Sequence, residues 1–159
     1  MEAIARTFSP LNGLHGVAAW LLRIGFAAVF ITKGLEKFTG LGGFAEMMGL
    51  PVAVAFLVAL AELLGGLAVL VGGFLTGAAN DVLTRLGGLA TIPVLLGAIS
   101  RVHWGQWTFV PTDSHPMGGI EYQTILLILA LYFVIRGRYL GSAEPLSTGA
   151  SQQPPGNRR

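Results

Sequence analysis

Residues 52–74 read VAVAFLVALAELLGGLAVLVGGF, twenty-three residues with a single charge, Glu62. About 20 mainly apolar residues cross a hydrocarbon core ~30 Å thick, so this stretch is long enough to span a bilayer. Three more apolar runs flank it. Residues 17–38 are interrupted by Arg23, residues 82–103 carry Arg85 near one end and Pro93 inside, and residues 120–137 open on Glu121. These runs are continuous, whereas the strands of a membrane barrel alternate lipid-facing and polar residues. Lipid cannot satisfy open backbone groups, which leaves helices as the spanning structure. The expectation is an all-α fold: an integral membrane four-helix bundle of antiparallel up-down hairpins.

Composition supports this reading. Of 159 residues, 53% are hydrophobic and 11% charged, against about 25% charged in a soluble domain. The mean hydropathy is +0.67. A soluble fold of this size keeps too large an outside to hide so much apolar surface. Disorder needs the opposite composition. The absence of cysteine excludes disulfides, thiolate zinc sites and iron–sulfur ligation by this chain. Its ten basic residues flank apolar runs and form no dense stripe, so a nucleic-acid partner is not expected. His15, His103 and His115 fall at different depths and do not pair as haem ligands; no metal site is expected. The GLGGF segment at 40–44 lacks the GK[ST] ending of a phosphate-binding loop.

The organisation read from these runs is a cytoplasmic N-terminal segment over 1–16, a membrane domain over 17–140, and a disordered tail over 141–159 rich in Ser, Gln, Pro and Gly. The first apolar run begins only at Val17 and is broken by Arg23, so it is kept as a mature helix, not a cleaved signal. A tight turn is expected at 77–83 and a longer loop at 103–119, HWGQWTFVPTDSHPMGG, whose tryptophans suit a membrane–water interface. With four spans, Arg6, Arg85, Arg136, Arg138, Arg158 and Arg159 share one side, and Lys33, Lys37 and Arg101 the other. The positive-inside rule then puts both termini in the cytoplasm, with the bacterial plasma (inner) membrane as the location.

Charges inside a span cost ~2.5–3.5 kcal/mol at a helix centre on insertion scales and normally face a partner within the protein. Glu62 is near the middle of the second run and Arg23 inside the first, so an Arg23–Glu62 pair is expected. It has two readings: a lock on helix packing, or a buried site that holds a ligand head group or relays a proton. A second polar cluster gathers Lys33, Glu36 and Lys37 at the end of the first helix, His103 at the end of the third and Glu121 at the start of the fourth. Snorkelled lysines at the interface are its simplest account. The candidate site is therefore Arg23, Lys33, Lys37, Glu62, His103 and Glu121, with no catalytic residue assigned.

These same residues carry a resemblance. LLRIGFAAVFITKGLEKF at 21–38, AELLGGLAVLVGGF at 61–74, LTRLGGLATIPVLLGAISRVH at 83–103 and GGIEYQTILLILALYFVIRGRYLGSAEPL at 118–146 resemble, in order, the four helices of the DoxX family of small bacterial membrane proteins. Where that family has His before the first-helix glycine, this chain has Lys33, so that imidazole's role does not transfer. The resemblance implies association with a membrane oxidoreductase partner subunit and a quinone as ligand, through a polar set of Arg23, Lys37, Glu62, His103 and Glu121. The alternatives are a small transporter or solute- or lipid-binding protein, and a non-catalytic scaffold. The bilayer is the expected surrounding, and a homo-oligomer is compatible with all three.

Overall fold

A computed structural model of the chain describes residues 7–139. The reading of a tail at 141–159 lies outside the described residues, as do residues 1–6. Among the described residues the fold is all-helical, with five α-helices and no strand. They are α1 (His15–Thr39), α2 (Leu41–Met48), α3 (Val52–Gly72), α4 (Gly77–Ala98) and α5 (Glu121–Arg136). A 3₁₀ turn, Ser9–Leu14, leads into α1, and a π-helical turn, Ile99–His103, extends α4. Three helical stretches are long and apolar enough to cross a membrane: His15–Thr39, Val52–Gly72 and Gly77–His103. The fourth expected span forms α5, but its 16 residues rise only about 24 Å, less than a hydrocarbon core.

Many large aliphatic side chains face outward, while alanines are buried where helices meet. Leu21, Leu57, Leu86, Ile128 and Ile135 are exposed, while Ala27, Ala55, Ala59 and Ala130 are buried. In water this would strand a wide apolar surface. In lipid it costs nothing, because tails are as apolar as leucine and helices associate through close contact of small residues. A methyl added at Gly34 of α1 would lie 2.7 Å from the backbone nitrogen of Leu63 in α3, and one at Gly87 of α4 would lie 2.7 Å from the Gly65 carbonyl of α3. The compact core is Phe26, Phe30, Val69, Leu95, Leu126, Ala130 and Phe133.

Side-chain contacts set the register of α1 on α3. Trp20 meets Phe74 at 4.6 Å between ring centroids, and Phe38 meets Phe56 at 5.5 Å. The start of α1 therefore lies beside the end of α3, and the reverse. Each later long helix packs on the one before it, α4 on α3 and α5 on α4, whereas α1 and α5 touch at few points.

Two boundaries differ from the sequence reading. Residues 77–83 are not a turn: α4 begins at Gly77, and the chain reverses over 73–76. Thr76 in extended conformation precedes a positive-φ Gly77 (φ 60°), which lets the chain swing directly into the helix. The short helix α2 was not anticipated. It is closed by Gly49 at φ 59°, in the left-handed conformation that ends helices.

Candidate functional site

Near the end where α1 stops and α3 starts, the helices diverge around a cavity of about 800 Å³. Phe30, Leu95 and Leu126 line it beside Val54 and Val58, while Phe44 and Met47 of α2 and Met117 of the 104–119 loop also border it. Its polar lining comes from Lys33, Glu36, Lys37, Glu62, Arg101, His103, Tyr122 and Gln123. A mostly apolar hollow of this size with a few converging polar groups is the usual form of a small-molecule site.

The expected Arg23–Glu62 pair is not formed. Glu62 instead accepts from Lys37, with Nζ–Oε2 at 2.6 Å and side-chain exposures of 18% and 8%. The reason is register. Gly34 packs on Leu63, so Glu62 is level with the α1 turn near residue 34. Arg23 is eleven residues earlier, about 16 Å of helix rise, beyond the reach of its side chain. Lys37 is held on a second side by Phe44, whose ring centroid is 5.2 Å from Nζ, a cation–π contact. The pair thus joins α1 to α3, with α2 folded over it.

Lys33 separates from Lys37 despite sharing a helix face. It bonds Glu36 at 2.8 Å in an exposed i,i+3 pair and borders the cavity. Glu121 does not reach it: its carboxylate accepts the Phe109 backbone N–H at 3.2 Å, tying the loop to the start of α5. Arg23 serves the opposite end. Buried to 3% exposure, it donates to the Val69 carbonyl, to Thr84 Oγ1 at 2.9 Å and to Asn80 Oδ1 at 3.2 Å. Its guanidinium carbon is 5.9 Å from the Phe133 ring centroid. Arg23 therefore fastens α1 to α3, α4 and α5 and takes no part in the cavity.

His103 reaches the cavity because α4 changes geometry. Pro93 removes one helical N–H, and the π-helical turn at 99–103 widens the helix where it ends; such turns often mark functional positions. Nδ1 of His103 is 2.9 Å from the Gly118 carbonyl. A carbonyl only accepts, so Nδ1 carries the proton and Nε2 accepts from the Gln123 amide at 2.8 Å. Gln123 Oε1 is buried and has no partner among the described residues. Gln123 and Tyr122 escaped the sequence reading, since a neutral amide and a phenol at a helix start carry no charge signal.

At the mouth, the loop 104–119 is folded by its own bonds. Gln106 donates to the carbonyls of Thr108 and Val110 and accepts from Thr112, while His115 contacts the Trp104 carbonyl and Ser114. Between this loop, α2 and the end of α4 is a second hollow of about 430 Å³, bordered by Met47, Met48, Arg101, His115 and Met117. At the Arg23 end, Asp81 bonds Arg85 at 3.0 Å and the Arg138 backbone N–H at 3.0 Å, and Arg85 reaches the carbonyls of Val134 and Ile135. That group caps α5. Among the described residues no three His, Asp or Glu cluster in a way that could hold a metal ion.

Comparison with known proteins bears on the whole arrangement. The DoxX family profile matches residues 18–104, which run from the start of α1 through His103 and make up more than half of the chain. The chain belongs to the DoxX family. It is also 28% identical over 138 residues to the Bacillus subtilis (strain 168) protein named "Putative oxidoreductase CatD", across 85% of this chain and 90% of that protein. No solved structure matches. The matched family region contains Arg23, Lys33, Lys37, Glu62 and His103; Glu121, Tyr122 and Gln123 lie beyond it.

Proposed function

We propose that this DoxX protein is an antiparallel four-helix subunit of a membrane oxidoreductase system, and that the cavity around Lys37, Glu62 and His103 binds a quinone-type head group. The observation that carries the reading is the Lys37–Glu62 pair on the wall of an apolar cavity. A buried ion pair adds little to stability compared with well-packed apolar residues, so its position against a hollow is better accounted for by a ligand. The relative named as an oxidoreductase supports the same class.

The residues suit an apolar ring bearing carbonyl oxygens. The Lys37 ammonium is a hydrogen-bond donor for one such oxygen. Glu62 and His103 are the groups able to pass protons when the ligand gains or loses them. Electrons come from a partner subunit or an exogenous cofactor, and the chain has no cysteine for a thiolate relay. Placement in a bacterial inner membrane with both termini cytoplasmic is part of this proposal, and the basic residues of the termini and of the Asp81–Arg85 end support it.

The test is equilibrium dialysis of a tail-less benzoquinone against the purified protein in lipid nanodiscs. One bound equivalent is expected. Replacing the pair together by Lys37→Met and Glu62→Met keeps apolar volume and should weaken binding at least about tenfold, or ~1.4 kcal/mol. Unchanged binding by that double variant, or no binding by the parent, overturns the reading.

A further inference from the structure

All four long helices border the cavity, and the seams between them differ. Three of the seams between long helices are closed by glycine contacts: Gly34 against Leu63 between α1 and α3, Gly87 against Gly65 between α3 and α4, and Gly88 against the Ala130 carbonyl between α4 and α5. Backbones meet at those points with no room for a methyl. The seam between α1 and α5 has no such contact. It is joined by rings at the Arg23 end, where Phe26 meets Phe133 at 5.1 Å and Arg23 lies over the same ring. Beyond them, toward the cavity, α1 presents Val29 and Lys33, and α5 presents Leu126 and Tyr122; all four border the cavity. Lys33 and Tyr122 are also exposed on the outer surface.

We infer that this half of the α1–α5 seam is a lateral portal, through which an amphiphile dissolved in the bilayer enters head first and leaves its alkyl tail in lipid. The inference rests on the ligand reading above and adds the tail and the route. The alternative route, through the hollow between α2 and the 104–119 loop, passes Arg101, Ser114 and His115. A long tail using it would have to leave lipid and cross polar surface, which the hydrophobic effect opposes. Lys33 and Tyr122 at the portal's lips are amphipathic side chains that place an apolar stem in lipid and a polar tip at the opening.

The absence of native cysteine makes the test clean. Lys33→Cys with Tyr122→Cys is bridged by a cleavable bis-maleimide in nanodiscs, and Ser114→Cys, which borders the second hollow and not the cavity, is capped with a bulky maleimide to block the other route. Uptake of a decyl-tailed benzoquinone and of its tail-less analogue is followed by tryptophan fluorescence. Bridging the seam should slow loading of the tailed probe at least roughly tenfold, as closed gates limit access. The tail-less probe should keep its rate, and cleaving the linker and removing the reductant should restore the tailed one. Capping Ser114→Cys should leave tailed-probe loading unchanged. The portal is overturned if the bridged seam loads the tailed probe at its unbridged rate, or if the cap on Ser114→Cys alone blocks it. If neither probe binds the unbridged protein, the ligand reading fails first and the portal with it. Binding of both probes without sensitivity to the seam defeats the portal alone.

Discussion

The pairing of Glu62 can be measured as a coupling energy. Lys37 and Glu62 have side chains only 18% and 8% exposed, which places them with buried pairs and not with surface pairs worth about 0–1 kcal/mol. Removing one partner of a buried pair strands the other charge and costs about 3–5 kcal/mol, while replacing both by apolar groups is often neutral. Glu62→Met and Lys37→Met should therefore each destabilise the protein, and the double variant should recover most of the loss, giving a coupling of at least about 2 kcal/mol. The same cycle run on Arg23→Met and Glu62→Met tests the register. Those residues are separated by about 16 Å of helix rise, and sites that far apart add within about 0.5 kcal/mol. Chemical unfolding in mixed micelles, read from the fluorescence of Trp20, Trp104 and Trp107, supplies all the values on one scale. A coupling for Arg23 and Glu62 as large as that for Lys37 and Glu62 would refute the helix register described above.

Other expectations follow from single contacts. Gly87→Ala puts a methyl 2.7 Å from the Gly65 carbonyl and 2.9 Å from the Val69 nitrogen, neither of which can yield cheaply, and should cost about 1–3 kcal/mol in the same unfolding assay; Gly97→Ala, which meets nothing within 4 Å, should not destabilise. Arg23→Lys keeps the charge but has no fork to serve the Val69 carbonyl, Thr84 and Asn80 at once, so it should lower stability by about 1–2 kcal/mol, the range of one to two lost hydrogen bonds. Gln106→Ala removes two donated bonds and the Thr112 contact; limited proteolysis should then cut within 104–119 faster, with helix content by circular dichroism unchanged.

Much of this was legible in the chain. Continuous apolar runs specify helices, and the cost of charge in lipid singles out Arg23 and Glu62, of which only Glu62 borders the cavity; Lys37 and His103, read as part of a polar cluster at the helix ends, border it too. What could not be read was who meets whom. Partner choice depends on how far α1 slides along α3, and that is settled by close contacts such as Gly34 on Leu63, which leave no periodic mark. A shift of a few turns moves Glu62 from Arg23 to Lys37. Helix α2 was hidden because LGGFAEMM has two glycines, each about 1 kcal/mol worse than alanine in a helix. The start of α4 was hidden for a related reason, its first residue being Gly77. Gln123 was missed because its importance lies in bonding His103, a contact made across twenty residues of sequence.

The burial of Arg23 also orders events during synthesis. Its acceptors, Val69, Asn80 and Thr84, lie 46, 57 and 61 residues downstream. At about 5–20 residues per second, the ribosome needs several seconds to deliver them after Arg23 has emerged. Throughout that delay α1 holds an arginine that lipid penalises and that no helix yet shields. The first helix is therefore expected to stay beside the insertion machinery until α4 arrives. Truncations ending before Thr84 should leave α1 extractable by alkali, whereas chains that include α4 should hold it in the membrane.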